Sequence, residues 1–308
     1  NVPIGIGAAL AALRILLAEQ DARRGPHGHF DVAGAVSVTA GLVVLTYGIV
    51  GSEEYGWASA RTLGLLGGGA VLLAAFTYIE SRLAEAPLMP LRIFASRALT
   101  GANVVILFMG SAAFAMWYFV SLYLQEVLGF SPIEAGLAFL PMTLAVVVSS
   151  QLASRAVSRF GPGPVLVGGM SSIALGMLLF SGVSANGSWA ADVLVPSLFA
   201  SAGIGFSFVP VTIAATAGVS GPEQGLASGL VNTSRQVGGS LGLALLATIA
   251  TQRSADLAGS LSRGAALTEG FDRAFLVGSA FAMAGAVAAA VLLLRRPGPQ
   301  AAALAPAG

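Results

Sequence analysis

Long apolar runs separated by short polar breaks recur along this chain. Each is near the 17–25 residues or so that a helix needs to cross a hydrocarbon core. Nine such runs are readable, at Val2–Ala18, Val32–Val50, Ala60–Ile79, Thr100–Leu124, Ile133–Ser154, Pro164–Ser184, Asp192–Ile213, Gly225–Ala250 and Phe271–Leu294. The connections are short, as antiparallel neighbouring helices require. The eighth run differs from the others in holding an asparagine, an arginine and a glutamine. At 100° per residue Gly225, Ser228, Gly229, Asn232, Arg235, Gln236, Gly239 and Ser240 share one side of that helix, and Leu226, Leu230, Val237, Leu241 and Leu245 the other. A guanidinium facing hydrocarbon costs at least about 2.5–3.5 kcal/mol. The polar side must therefore meet protein, water or a ligand.

The fourth run has a second patterned face. Asn103, Leu107, Gly110, Phe114, Trp117, Tyr118, Ser121 and Gln125 lie on one side, with Val105, Ala112, Met116 and Phe119 opposite. Aromatic rings among a few amides suit a cavity for flat, lipophilic, often cationic molecules. The competing reading is an aromatic belt at the membrane surface together with ordinary packing. Pro141 predicts a kink in the fifth run, and Gly203, Gly205 and Pro210 interrupt the seventh. Broken helices of that kind often border transporter sites. The pairs Gly225/Gly229 and Gly238/Gly242, each four residues apart, predict close helix packing.

Composition places the whole chain in a bilayer. Hydrophobic residues make up 56% and charged residues 9%, against about a quarter charged in a soluble domain; the mean hydropathy is +0.84. All 15 basic residues are arginine, and the net charge of +1 with no basic run gives no footprint for nucleic acid. The absence of cysteine excludes disulfides and thiolate chemistry. His27 and His29 share a polar loop with Gly25 and Pro26, which reads as solvated rather than metal-binding. There is no GxxxxGK[ST] phosphate loop, nucleophile elbow, HExxH or paired intramembrane carboxylate, so neither ATP-driven pumping nor an enzyme is expected. The chain opens at Asn1-Val2-Pro3 with no Met and no basic segment before its first run. It reads as a piece of a longer chain rather than as a signal peptide.

Arginine placement orients the set. Alternate loops hold Arg23 and Arg24, then Arg82, Arg92 and Arg97, then Arg155 and Arg159, and finally Arg295 and Arg296. The loops between them are richer in Glu53, Glu54, Glu126 and Glu134 than in cations. By the positive-inside rule the arginine-rich loops and the C-terminus are cytoplasmic. Arg253 and Arg263 on the outer side dissent, and the loop after Ile213 carries only Glu223.

Three linked stretches carry a family resemblance: NVPIG at the start, YLQEVLGFSPIEAGLAFLP at Tyr123–Pro141, and GLASGLVNTSRQVGGSLG at Gly225–Gly242. In this order and spacing they resemble the fourteen-helix drug:proton antiporter branch of the major facilitator superfamily. The likeness implies an all-α, polytopic helical bundle in the inner (plasma) membrane. Residues 1–18 would be the last helix of an N-terminal bundle, truncated, and 19–96 an extra central pair with cytoplasmic loops. Residues 97–296 would form the C-terminal six-helix bundle, and 297–308 a disordered cytoplasmic tail. Five N-terminal helices would be missing. The implied activity is export of drugs or small lipophilic, cation-compatible molecules by alternating access, with no bound cofactor and a proton gradient as the driving force. An exporter of an endogenous metabolite or self-made antibiotic is the alternative within transport, and a non-transporting scaffold or remnant the alternative outside it.

Under this resemblance the substrate cavity would draw on Asn103, Phe114, Trp117, Tyr118, Gln125, Asn232, Arg235 and Gln236, facing the missing N-terminal bundle. The loop SRAVSRFGPGP (Ser154–Pro164) resembles a degenerate copy of the superfamily's Gly-Asp-Arg loop. Arg155, Arg159 and Gly161 would form a conformational latch there, but Ser158 stands where the motif has Asp, which favours the competing reading of a basic loop that simply follows the positive-inside rule. No Asp or Glu is expected in the middle of any run, so proton coupling rests on the resemblance alone.

Overall fold

The computed structural model describes residues 5–7, 9–11, 31–83, 88–217, 219 and 223–294. The described residues are all-α, with no strand. They form nine α-helices: α1 (Val32–Tyr55), α2 (Ala60–Tyr78), α3 (Arg97–Leu122), α4 (Pro132–Ala138), α5 (Leu140–Phe160), α6 (Pro162–Phe180), α7 (Val195–Thr216), α8 (Gln224–Leu257) and α9 (Arg263–Leu293). Seven segments are long and apolar enough to cross a membrane, with α4 and α5 counted as one. The eighth long helix, α8, is not among them, because its polar side lowers its hydropathy. Of the first predicted run only residues 5–7 and 9–11 are described, as helix. The loop with His27 and His29, Arg295, Arg296 and the predicted tail lie outside the described residues.

Local chemistry sets the helix ends. Asp31 accepts from the Gly34 amide at 2.8 Å to open α1, and Ser131 with Glu134 forms a capping box on α4. Gly161 closes α5, donating its N–H to the Val157 carbonyl at 2.8 Å. Its φ of +80° is a left-handed conformation that only glycine adopts without strain. Pro162 then starts α6, in the first turn, where a missing N–H costs no hydrogen bond. Arg97 donates to the Val291 and Leu292 carbonyls at 2.7 and 3.2 Å, satisfying orphan acceptors in the last turn of α9. The kink expected at Pro141 is a break two residues earlier. The chain leaves α4 at Phe139, and Pro141 sits in the first turn of α5.

Helix α3 lies in the middle, packed on α7, α8 and α9, while α6 fills the far side between α7 and α9 and α5 leans on α7. The α1–α2 hairpin packs on itself and touches the bundle through α8. Lipid gives helices no hydrophobic reason to associate, so backbones close in at small residues. A Cβ on Gly110 would meet the Arg235 carbonyl, one on Gly238 the Leu107 carbonyl, and one on Gly242 the Ser111 side chain. Gly225 and Gly229 differ from the other spaced pair: among the described residues nothing outside their own helix comes within 4 Å of a Cβ placed at either position. An aromatic core completes the packing, with Phe119 at 5.6 and 5.8 Å from Phe271 and Phe275, and Phe275 stacked on Phe180 at 4.9 Å.

Candidate functional site

Where α3, α5, α7 and α8 converge, a cavity of about 240 Å³ opens on one side of the bundle. Its walls are Met109, Gly110, Ala113, Phe114 and Trp117 from α3, Val146 and Ser150 from α5, Ile204 and Phe208 from α7, and Arg235 from α8. The two backbones that support it nearly touch. Gly110 admits the Arg235 carbonyl, and Gly239 leaves the space into which the Phe114 ring settles. Phe114 and Trp117 stack, with centroids 6.1 Å apart and an interplanar angle of 30°. The Arg235 guanidinium donates to Asn232 Oδ1 at 2.8 Å, one turn back. The cavity is thus largely apolar, with an aromatic pair, one hydroxyl and one permanent positive charge. Its volume falls below the 300–1,000 Å³ or so of a complete small-molecule pocket. It can hold one end of a ligand.

Of the eight residues proposed for a single cavity, the structure brings together Phe114, Trp117 and Arg235. The others lie elsewhere, each for a local reason. Asn103 is buried, donating to the Leu99 carbonyl and accepting from Ser234 at 2.8 Å, so its amide ties α3 to α8. Gln125 spends its amide on the Ser121 carbonyl and hydroxyl at 3.1 and 2.9 Å. Tyr118 points the other way from Trp117, into a separate cavity of about 510 Å³ bordered by Phe119, Glu126, Arg263 and Phe271. Asn232 and Gln236 line a groove between α8 and α1, opposite Leu42, Val43, Thr46 and Tyr47. The 100° spacing places these side chains along one side of each helix, but neighbouring helices divide that side into separate environments, with Trp117 and Tyr118 on different flanks.

The proposed latch residues sit at the α5–α6 turn. Arg155 and Arg159 are exposed, and the guanidinium of Arg159 lies 5.2 Å from the Phe160 ring centroid. Neither arginine forms an ion pair among the described residues. Gly161 is required by the backbone of the turn itself. The dissenting outer arginines are both paired: Arg253 with Glu269 at 3.2 Å and Arg263 with Glu126 at 3.0 Å.

Sequence reasoning missed the α5 and α7 walls, because Val146, Ile204 and Phe208 are apolar residues in apolar helices and carry no periodic mark. It also missed Asp272, half-buried in α9 with Oδ1 enclosed and lacking a hydrogen-bond partner. Asp272 borders a polar pocket of about 420 Å³ with Ser181, Arg253, Glu269 and Arg273. A signal existed: Asp272 is one turn from Thr268 and Phe275, both on the buried stripe of α9.

Residues 2–243 match the sequence profile of the Major Facilitator Superfamily. The chain is 36% identical over 252 residues to a cephamycin export protein of Amycolatopsis lactamdurans, covering 81% of this chain and 51% of that protein. It is 35% identical over 261 residues to the tetracenomycin C resistance and export protein of Streptomyces glaucescens, covering 83% and 47%. A puromycin resistance protein of Streptomyces alboniger is 33% identical over 296 residues, covering 95% and 58%. The chain spans about half the length of these relatives.

Proposed function

This chain belongs to the Major Facilitator Superfamily, and from that premise we propose that it forms the C-terminal bundle and central hairpin of an antibiotic exporter. In this reading the cavity between α3, α5, α7 and α8 is one half of the substrate site. The preceding helices supply the other half, and the two halves rock to expose the site to either side of the membrane. The observation that carries the proposal is the Phe114–Trp117 pair beside Arg235, at a place where four helices leave a cavity instead of closing on one another. The names of the three relatives, each an antibiotic export or resistance protein, support an antibiotic as the substrate. The proton is proposed as the coupling ion on the resemblance alone. The plasma membrane is the proposed location, with the C-terminus in the cytoplasm.

The test is expression of the full-length gene product in a strain stripped of its own exporters, challenged with a cephamycin, tetracenomycin C and puromycin. Resistance to one of them, lost in Trp117→Ala at unchanged protein level, is the expected outcome. Everted vesicles should then release protons when that compound is added under an imposed gradient. A protein that is well expressed yet confers no resistance, and moves none of the three in vesicles, would reduce the chain to a scaffold.

A further inference from the structure

We infer that Arg235 reads a negative charge, so that the cavity takes planar aromatic molecules bearing a carboxylate or phenolate rather than cations. This rests on the reading of the cavity as a substrate site. Arg235 lies eleven residues into α8, roughly 16 Å along the helix at 1.5 Å per residue. A guanidinium does not lose its proton in a protein, so the charge stays whatever the pH. Of its five N–H donors, one is spent on the neutral amide of Asn232. Among the described residues, no Asp or Glu lines the cavity or the adjoining groove against α1. Helices α3, α5 and α7 contain no carboxylate within their bounds, and α8 contains only Asp256, about 30 Å further along the helix. The ion pairs among the described residues involve Arg92, Arg253 and Arg263, and none involves Arg235.

A half-buried permanent cation beside Met109, Val146, Ile204 and Phe208, with no counterion among the described residues, offers a site to an anion. Its planar fork matches a carboxylate with two parallel hydrogen bonds. The Phe114–Trp117 pair beside it supplies ring faces for the rest of the molecule. A cationic ligand would meet the same aromatic faces but also the like charge of Arg235 beside them, which opposes the cation–π contact. The preference for cations expected from the aromatic residues alone is therefore reversed by the arginine beside them.

The test uses full-length protein in lipid nanodiscs and three matched probes: anthraquinone-2-carboxylate, its carboxamide, and 2-(aminomethyl)anthraquinone. Titration should rank them carboxylate, carboxamide, amine. The first step should be about tenfold or more, the lower end for a hydrogen bond to a charged group. Arg235→Gln should bring carboxylate and carboxamide within about twofold of each other by weakening only the carboxylate, and Arg235→Lys should restore part of the gap. Equal binding of carboxylate and carboxamide by the wild type would overturn the inference, and would mean that another group already satisfies Arg235. So would a preference that survives Arg235→Gln. Trp117→Ala separates this from the underlying reading. If it weakens all three probes while Arg235→Gln changes no preference, the cavity stands and the anion rule falls. If neither variant alters any affinity, or no probe binds the wild type, the cavity is not a substrate site and both fall.

Discussion

Gly229 and Gly238 lie on one helix, nine residues apart, and meet opposite surroundings. A methyl group on Gly238 would collide with the Leu107 backbone of α3, whereas nothing lies within 4 Å of the same group on Gly229. Gly238→Ala should therefore lower the stability of the full-length protein by about 1–3 kcal/mol, the usual cost of overpacking. Gly229→Ala should leave it unchanged or raise it by about 0.5–1 kcal/mol through helix propensity. Thermal unfolding in detergent reads both. The same contrast governs the aromatics of α3. Trp117 is 40% exposed at the cavity, but its nearby partner in sequence, Phe119, is 1% exposed inside the Phe180–Phe271–Phe275 cluster. Phe119→Ala should cost about 3–5 kcal/mol and lower the amount of folded protein. Trp117→Ala should leave the melting temperature alone and change which compounds are exported. Phe119 is thus unsuited as the silent control that its position opposite Trp117 would imply.

At the scale of elements, helix α8 connects the hairpin, the cavity and the central helix α3. Its polar side was legible because serine, asparagine, arginine and glutamine recur at helical spacing in an apolar sequence. Its division was not, because that depends on which helix covers each flank. Helix α1, nearly two hundred residues earlier in the chain, faces Asn232 and Gln236 across a groove, while α5 and α7 leave Arg235 facing a cavity. Two polar contacts tie the hairpin turn and the segment that links the hairpin to α3 to the α8 region. Trp57 donates to Thr248 at 3.3 Å, and Arg92 pairs with Glu223 at 2.7 Å. These contacts should contribute unequally. Arg92 has 78% of its side chain exposed, which limits such a pair to less than about 1 kcal/mol. The indole bond is part-buried and removing it should cost about 0.5–1.5 kcal/mol. Hydrogen–deuterium exchange in α1 and α2 should accelerate more in Trp57→Phe than in Arg92→Gln. Equal acceleration, or none, would show that helix packing alone holds the hairpin.

For the whole molecule, the nine-run pattern and the family words made the architecture legible from sequence, since a bilayer makes most spans declare themselves by length and hydropathy, the polar α8 being the exception. Individual spans were less exact. The fifth run is two helices, and Ser52, two residues past the predicted end of the second run, lies inside α1, buried to 2% and bonded to the Ile49 carbonyl. That changes how the orientation is tested. The arginine asymmetry predicts that the α5–α6 turn is cytoplasmic and the α1–α2 turn external. Ser158 is a sound probe of the first, because it is exposed and its hydroxyl bonds only to carbonyls of its own helix. Ser52 is a poor probe of the second: a cysteine there would be shielded from reagent on either side and would report neither. Ala58, exposed in the α1–α2 turn, replaces it. This chain has no cysteine of its own, so with any thiol elsewhere in the full-length protein removed, each introduced residue reports alone. Ala58→Cys should react with a membrane-impermeant maleimide on intact cells, and Ser158→Cys only after the cells are opened. Ser260→Cys, exposed in the α8–α9 turn, should behave like Ala58→Cys, because an even number of spans separates the two turns. Its labelling is the stricter outcome, since it holds only if the polar helix α8 crosses the membrane alongside the seven more apolar segments. Protection of Ser260→Cys in intact cells, with Ala58→Cys labelled, would mean that α8 does not span, and Arg235 would then lose the membrane depth on which its role depends.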